Sequence, residues 1–103
     1  MNPKSLRKKY PDKVPVVLKR SKDSKNIKDI GVVKYLVQDY ITVSQFMYIV
    51  RKRIKIDSID ALYLYANGQH LLNNNSDMIT VYEEHKSDDG LLKITYAGEN
   101  VFG

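Results

Sequence analysis

Thr42-Val43-Ser44-Gln45-Phe46-Met47-Tyr48-Ile49-Val50-Arg51-Lys52-Arg53-Ile54-Lys55 is the stretch on which the fold turns. Thr42 and Gln45 stand three apart just before an apolar periodic run, the spacing in which each side chain caps the other's backbone at a helix start. Val43, Phe46, Met47, Val50 and Ile54 recur at helical intervals and share one face. Arg51, Lys52, Arg53 and Lys55 crowd the far end, where cations favour the helix dipole. The spacing predicts a helix near residues 43–54. Ile49 falls off the apolar stripe, at its flank, where it is placed to line a groove.

Working outward toward the N-terminus, Val33-Lys34-Tyr35-Leu36-Val37 and Val14-Pro15-Val16-Val17-Leu18 read as strands. The polar, basic segment 19–31, ending at Gly31, reads as the loop of an opening hairpin. Pro15 has no N–H to give a ladder, so it is expected at an edge or irregular position. Before it, Lys4–Tyr10 can form a turn or two of helix that stops ahead of Pro11.

Toward the C-terminus, Leu62-Tyr63-Leu64-Tyr65-Ala66 runs into Asn67-Gly68, a strong short hairpin signal. Ser76 is the expected cap of a short helix reaching about His85, and Leu92-Lys93-Ile94-Thr95-Tyr96 is a final strand. The order is strand, strand, helix, strand, short element, short helix, strand. That is the α+β plan of a β-grasp domain, a mixed sheet of about four strands crossed by one main helix. The chain divides into an N-terminal extension (1–10), a core (11–96) and a tail (97–103), all within one domain.

Composition narrows the functions. The chain has no cysteine, which removes disulfides, thiolate nucleophiles and Cys-rich zinc sites together. Its N-terminus is basic but has no apolar core of a secretory signal, and no run approaches the ~18 apolar residues of a membrane span. The expected address is the cytoplasm, where the Asn74-Asn75-Ser76 sequon stays idle. No phosphate-binding glycine loop and no His-x-x-x-His pair occurs, so neither an enzyme nor a cofactor is expected. His70 and His85 are the only histidines, and Glu83-Glu84-His85 reads as a solvated face because helical neighbours diverge. Residues 1–55 hold 15 Lys/Arg against 4 Asp/Glu, a net +11. Residues 56–103 hold 2 against 8, a net −6. The basic half suits partners with acidic segments. The clusters Arg7-Lys8-Lys9 and Arg51–Lys55 come with no recognition-helix or base-stacking motif, so nucleic acid is not an expected partner.

Two candidate sites remain. Lys34-Tyr35-Leu36-Val37, beside Phe46, Ile49 and Val50, offers backbone donors and acceptors next to apolar side chains, as strand-addition recognition of a peptide requires. The same residues fit a plain core equally well. The second is Gly103 at the end of the tail, whose unhindered carboxyl group could enter the narrow site of an activating enzyme.

A set of segments then points to a family. Arg7-Lys8-Lys9-Tyr10-Pro11-Asp12-Lys13-Val14-Pro15-Val16, Lys34–Val37, Thr42-Val43 with Gln45-Phe46, Arg51-Lys52-Arg53-Ile54, Tyr82–Lys86 and Phe102-Gly103 occur in one order. With them the chain resembles the autophagy ubiquitin-like modifiers, the family of GABARAP and microtubule-associated light chain three. The resemblance implies a ubiquitin-like fold whose Gly103, preceded by Phe102, is joined to the amine of phosphatidylethanolamine. A cysteine protease would process and deconjugate it, and activating and conjugating enzymes would carry it as thioesters to autophagosomal membranes.

The resemblance also implies binding of cargo receptors through aromatic-x-x-aliphatic motifs added as a strand. Carried over by position, Leu6, Pro15, Val17, Lys34, Leu36 and Leu91 line the aromatic pocket. Tyr35, Val37, Ile41, Phe46, Ile49 and Val50 line the aliphatic one, with Arg53 at its rim. The family usually has two N-terminal helices, whereas only residues 1–5 precede the match here, so a shortened helical extension is expected. Leu91 stands where phenylalanine is common, Gln38 where proline is, and Val32 where lysine is. These departures predict a less enclosed aromatic pocket. The competing readings are an unconjugated peptide-binding or microtubule-associated adaptor and, further off, a basic nucleic-acid-binding protein.

Overall fold

The computed structural model describes residues 3–101; Phe102 and Gly103 lie outside the described residues. Its elements are α1 (Pro3–Lys9), β1 (Lys13–Arg20), β2 (Val33–Gln38), α2 (Val43–Ile54), β3 (Tyr63–Ala66), β4 (His70–Leu71), α3 (Met78–His85) and β5 (Leu92–Ala97). They build one mixed sheet in the order β2-β1-β5-β3-β4. β1 pairs antiparallel with β2 (Leu18 opposite Val33) and parallel with β5 (Val16 opposite Leu92). Both first and last strands are therefore central, and the two hairpins flank them. The short element after Asn67-Gly68 is β4, which makes the sheet five-stranded.

α2 crosses one face. Val43, Phe46 and Val50 are completely buried, Ile54 nearly so, and they meet Val14, Val16, Leu18, Leu92 and Ile94 from the central strands. Met47 and Ile49 flank that stripe half-buried. The expected cap is present in full: Gln45 N donates to Thr42 Oγ1 (3.2 Å), and Thr42 N donates to Gln45 Oε1 (2.8 Å). Thr42→Ala removes one arm of this box and should cost about 1 kcal/mol. In a chain of this size that lowers the thermal midpoint by about 4–8 °C, a shift that calorimetry resolves.

Two expectations need correction. Pro15 is not at an edge, because β1 is central. It is accommodated because the parallel ladder with β5 begins one residue later, at Val16, so Pro15 has no β5 partner. Likewise Ser76 does not cap α3. The N-cap is Asp77, and it makes no side-chain capping bond. The reason is tertiary. Met78 N donates to Ile41 O (2.7 Å) and Ile79 N to Asp39 O (3.0 Å), while Val43 N donates to Ser76 O (2.9 Å) and Ser44 N to Asn74 O (3.1 Å). Each helix thus satisfies its free N–H groups with carbonyls from the other's lead-in.

The middle of the long loop after β1 is pinned by the Tyr96 side chain. Tyr96 Oη donates to Lys28 O (2.6 Å) and accepts from Ile30 N (3.1 Å), beneath a buried Ile27. Burial lifts the Tyr96 phenol above its ordinary 10.0, and burial does the same for Tyr82, which donates to Gly90 O (2.8 Å). A raised folded-state value means that the neutral phenols stabilise the fold fully below pH 10.0, and that this contribution is lost as pH rises through the folded values. Thermal midpoints should therefore be flat with respect to these groups below that pH and fall above it. In Tyr96→Phe the alkaline fall should be shallower and the neutral-pH midpoint lower.

Candidate functional edge and its two faces

β2 is one of the two outermost strands, opposite β4, and among the described residues no strand lies on its free side. Its side chains alternate, as any strand's must. Tyr35 and Val37 turn toward α2, whereas Lys34, Leu36 and Gln38 turn to the opposite face and are exposed. The register carries this across the sheet: Pro15 lies opposite Leu36 and Val17 opposite Lys34 on the outer face, with Val14 opposite Val37 and Val16 opposite Tyr35 on the inner.

The inner-face residues form a surface with a fixed floor. Phe46 and Val50 are fully buried and Val37 is 7% exposed, so these three belong to the core. Above them Tyr35, Ile41 and Ile49 are half-buried and packed on that core, and Arg53 is exposed. Tyr35 meets Phe46 edge-on, with ring centroids 5.5 Å apart. Its hydroxyl is buried with no hydrogen-bond partner among the described residues. Burial raises the Tyr35 pKa, and the nearby Arg53 charge opposes that rise.

On the outer face Leu36 is 38% exposed, Val17, Leu91 and Leu6 are half-buried, and Pro15 is buried. Leu6 belongs to α1, which is fastened by Arg7: its guanidinium donates to Pro11 O (2.7 Å) and to Lys13 O, and lies 5.5 Å from the centre of the Tyr82 ring. Val32, the departure noted in the sequence, is 64% exposed beside this face.

Several basic residues that drew attention in the sequence have structural work. Arg51 donates to Asp57 O (2.8 Å) and Asp60 O (2.6 Å), and Lys52 lies over the Tyr48 ring at 4.6 Å. The two histidines, far apart in sequence, stack with centroids 5.2 Å apart, a contact that β4 and α3 create and that no local pattern announces. Among the described residues no cluster of three metal-ligating side chains occurs, and no helix is long and apolar enough to cross a membrane.

A five-stranded mixed sheet crossed by one helix, with a free edge presenting two different faces, defines a ubiquitin-like domain. Comparison with known proteins narrows this. The family model described as autophagy protein Atg8, ubiquitin like, matches residues 1–103. Autophagy-related protein 8 of Schizosaccharomyces pombe is 46% identical over 98 residues, covering 95% of this chain and 79% of that protein. Autophagy-related protein 8a of Arabidopsis thaliana is 44% identical over the same length and coverage. The crystal structure of Trypanosoma brucei ATG8 superposes with a TM-score of 0.84 at 32% identity, covering 97% of this chain and 84% of that one. The chain belongs to the Atg8 family of ubiquitin-like autophagy proteins, which is the family of GABARAP and microtubule-associated light chain three.

Proposed function

We propose that this protein is a non-enzymatic modifier. Its Gly103 carboxylate is conjugated to phosphatidylethanolamine, and its β2 edge recruits receptors that carry an aromatic-x-x-aliphatic motif. The observation that carries the binding half is the alternation of β2. Two motif residues three apart on an added strand point to opposite faces of the sheet. β2 offers Lys34 and Leu36 on one face and Tyr35 and Val37 on the other. An aromatic residue then sits over Leu36, Pro15 and Val17, near Leu6 and Leu91. An aliphatic one sits over Tyr35, Ile41 and Ile49, with Phe46, Val50 and Val37 as the floor and Arg53 at the rim.

Family membership and the terminal glycine support the conjugation half. In the last step an amine nitrogen attacks the Gly103 thioester carbonyl, the C–S bond breaks, an amide forms, and the thiol leaves on the conjugating enzyme. The partners are those activating and conjugating enzymes, a processing and deconjugating cysteine protease, and the receptors. The protein is cytoplasmic until lipid anchors it on autophagosomal membranes. Reconstitution with the family's activating and conjugating enzymes and phosphatidylethanolamine vesicles tests the first half. Titration with a motif peptide tests the second. A chain that neither conjugates nor binds refutes the proposal.

A further inference from the structure

On the sheet face opposite α2, beyond Lys34, lies a cavity of about 690 Å³ that adjoins the aromatic-motif face at Val17 and whose basic wall the motif-binding reading leaves unused. Strand alternation brings Val17 and Lys19 of β1 alongside Lys93 and Thr95 of β5, which are their register partners, and Arg20 and Lys22 complete the basic wall. Lys19 and Lys22 make no ion pair among the described residues. Arg20 pairs with Asp29 at 3.7 Å and Lys93 with Asp89 at 3.3 Å, both across solvent-exposed carboxylates. Asp23 is the one carboxylate in the wall among the described residues. Thr95 Oγ1 is buried and has no hydrogen-bond partner among them. A cavity with four cations and one carboxylate suits a ligand with several negatively charged oxygens, and its volume is that of a small-molecule site.

The tail leaves the domain at the rim of this cavity. Ser21 N donates to Tyr96 O (2.8 Å), Gly98 N to Ser24 Oγ (3.0 Å) and Asn26 Nδ2 to Glu99 Oε2 (2.7 Å), with Ser24 Oγ also donating to Glu99 Oε1. The loop that clamps the tail root is the loop whose Ser21, Lys22 and Asp23 wall the cavity. From Glu99 the four remaining residues span at most about 14 Å. A lipid joined to Gly103 would hold the tail root at Glu99, and with it this side of the domain, close to the bilayer surface.

We propose that this cavity binds the phosphorylated headgroup of an inositol lipid, orienting the domain on the membrane to which its terminus is joined. The membrane-facing placement rests on the conjugation reading; binding of the headgroup does not. A phosphate monoester carries close to two charges and three acceptor oxygens, which Lys19, Lys22 and Lys93 can share. A single-charged phosphodiester would leave most of the wall unused.

The test is co-sedimentation of the unconjugated full chain with three kinds of phosphatidylcholine vesicle: plain, containing phosphatidylinositol bisphosphate, and containing phosphatidylserine at matched charge. The inositol-lipid vesicles should bind at least about tenfold more tightly than either control, and Lys19→Glu with Lys93→Glu should remove that preference. Lys52→Glu with Lys55→Glu makes the same charge change on α2, across the sheet, and should leave binding within about twofold. Equal binding to phosphatidylserine vesicles overturns the proposal, as does equal loss in both double variants. So does binding of free inositol trisphosphate without binding of vesicles. Because the chain is unconjugated, these outcomes stand apart from any failure at Gly103.

Discussion

Replacing Gly103 by alanine is expected to reduce transfer to phosphatidylethanolamine by about 10–200-fold, because one added methyl in a close-fitting site changes recognition by about that much. The thermal midpoint, measured alongside, separates a loss of transfer from a loss of fold. The measurement is the fraction of chain that becomes lipid-linked with time in the reconstituted reaction, alongside the fraction held as thioester on the activating enzyme. Gly98→Ala is the matched comparison. A Cβ there would meet Ile27 Cβ at 3.1 Å, so it disturbs the root of the tail while leaving the reacting terminus alone. Gly98→Ala should therefore lower the midpoint while conjugating far better than Gly103→Ala. If Gly103→Ala is lipidated at the parent's rate, the carboxylate of Gly103 is not the reacting group and the modifier reading fails.

The features legible in the sequence are those set by local spacing. Thr42 and Gln45 cap α2 as their separation requires, Val43, Phe46, Val50 and Ile54 are buried as their period requires, and Asn67-Gly68 turns the chain with positive φ at both residues. What was misread depends on partners distant in the chain. Pro15 reads as an edge or irregular position because its missing N–H is local; only the edge half fails, since the start of the β1–β5 ladder at Val16 is not a local feature. Ser76 looked like a cap because nothing in residues 76–85 shows that the carbonyls of Asp39 and Ile41 already serve the N–H groups of α3. The candidate edge was half visible. The run Lys34–Val37 could be read as either groove or core; Val37 is buried with Phe46 and Val50, whereas Leu36 is exposed on the other face. The outer cavity is not legible in the sequence because its lysines come from β1, the loop after it and β5, with most of the chain between them.

That division between floor and wall decides how the motif-binding edge should be probed. Phe46→Ala is expected to cost about 3–5 kcal/mol, since it deletes a fully buried ring and its edge-on contact with Tyr35. Against a total stability of about 5–15 kcal/mol that is a large share, and denaturant unfolding should show the midpoint falling accordingly. Loss of peptide binding in this variant would therefore report the fold as much as the groove. Leu36→Asp separates them. Leu36 is 38% exposed on the outer face of the edge strand, so the fold should change little, within about 0.5–1 kcal/mol. An aromatic side chain seated on it would instead lose an apolar neighbour and face a carboxylate, weakening a motif peptide at least about tenfold. Ile49→Asp makes the same test on the other face, because Ile49 packs at the flank of α2 above the buried Phe46 and Val50. Each variant should respond to only one end of the motif: truncating the peptide's aromatic residue should cost little further in Leu36→Asp, and truncating its aliphatic residue little further in Ile49→Asp. Losses that add fully in both pairings would mean that the peptide does not place its two anchors on opposite faces of β2, and strand addition at this edge would be wrong.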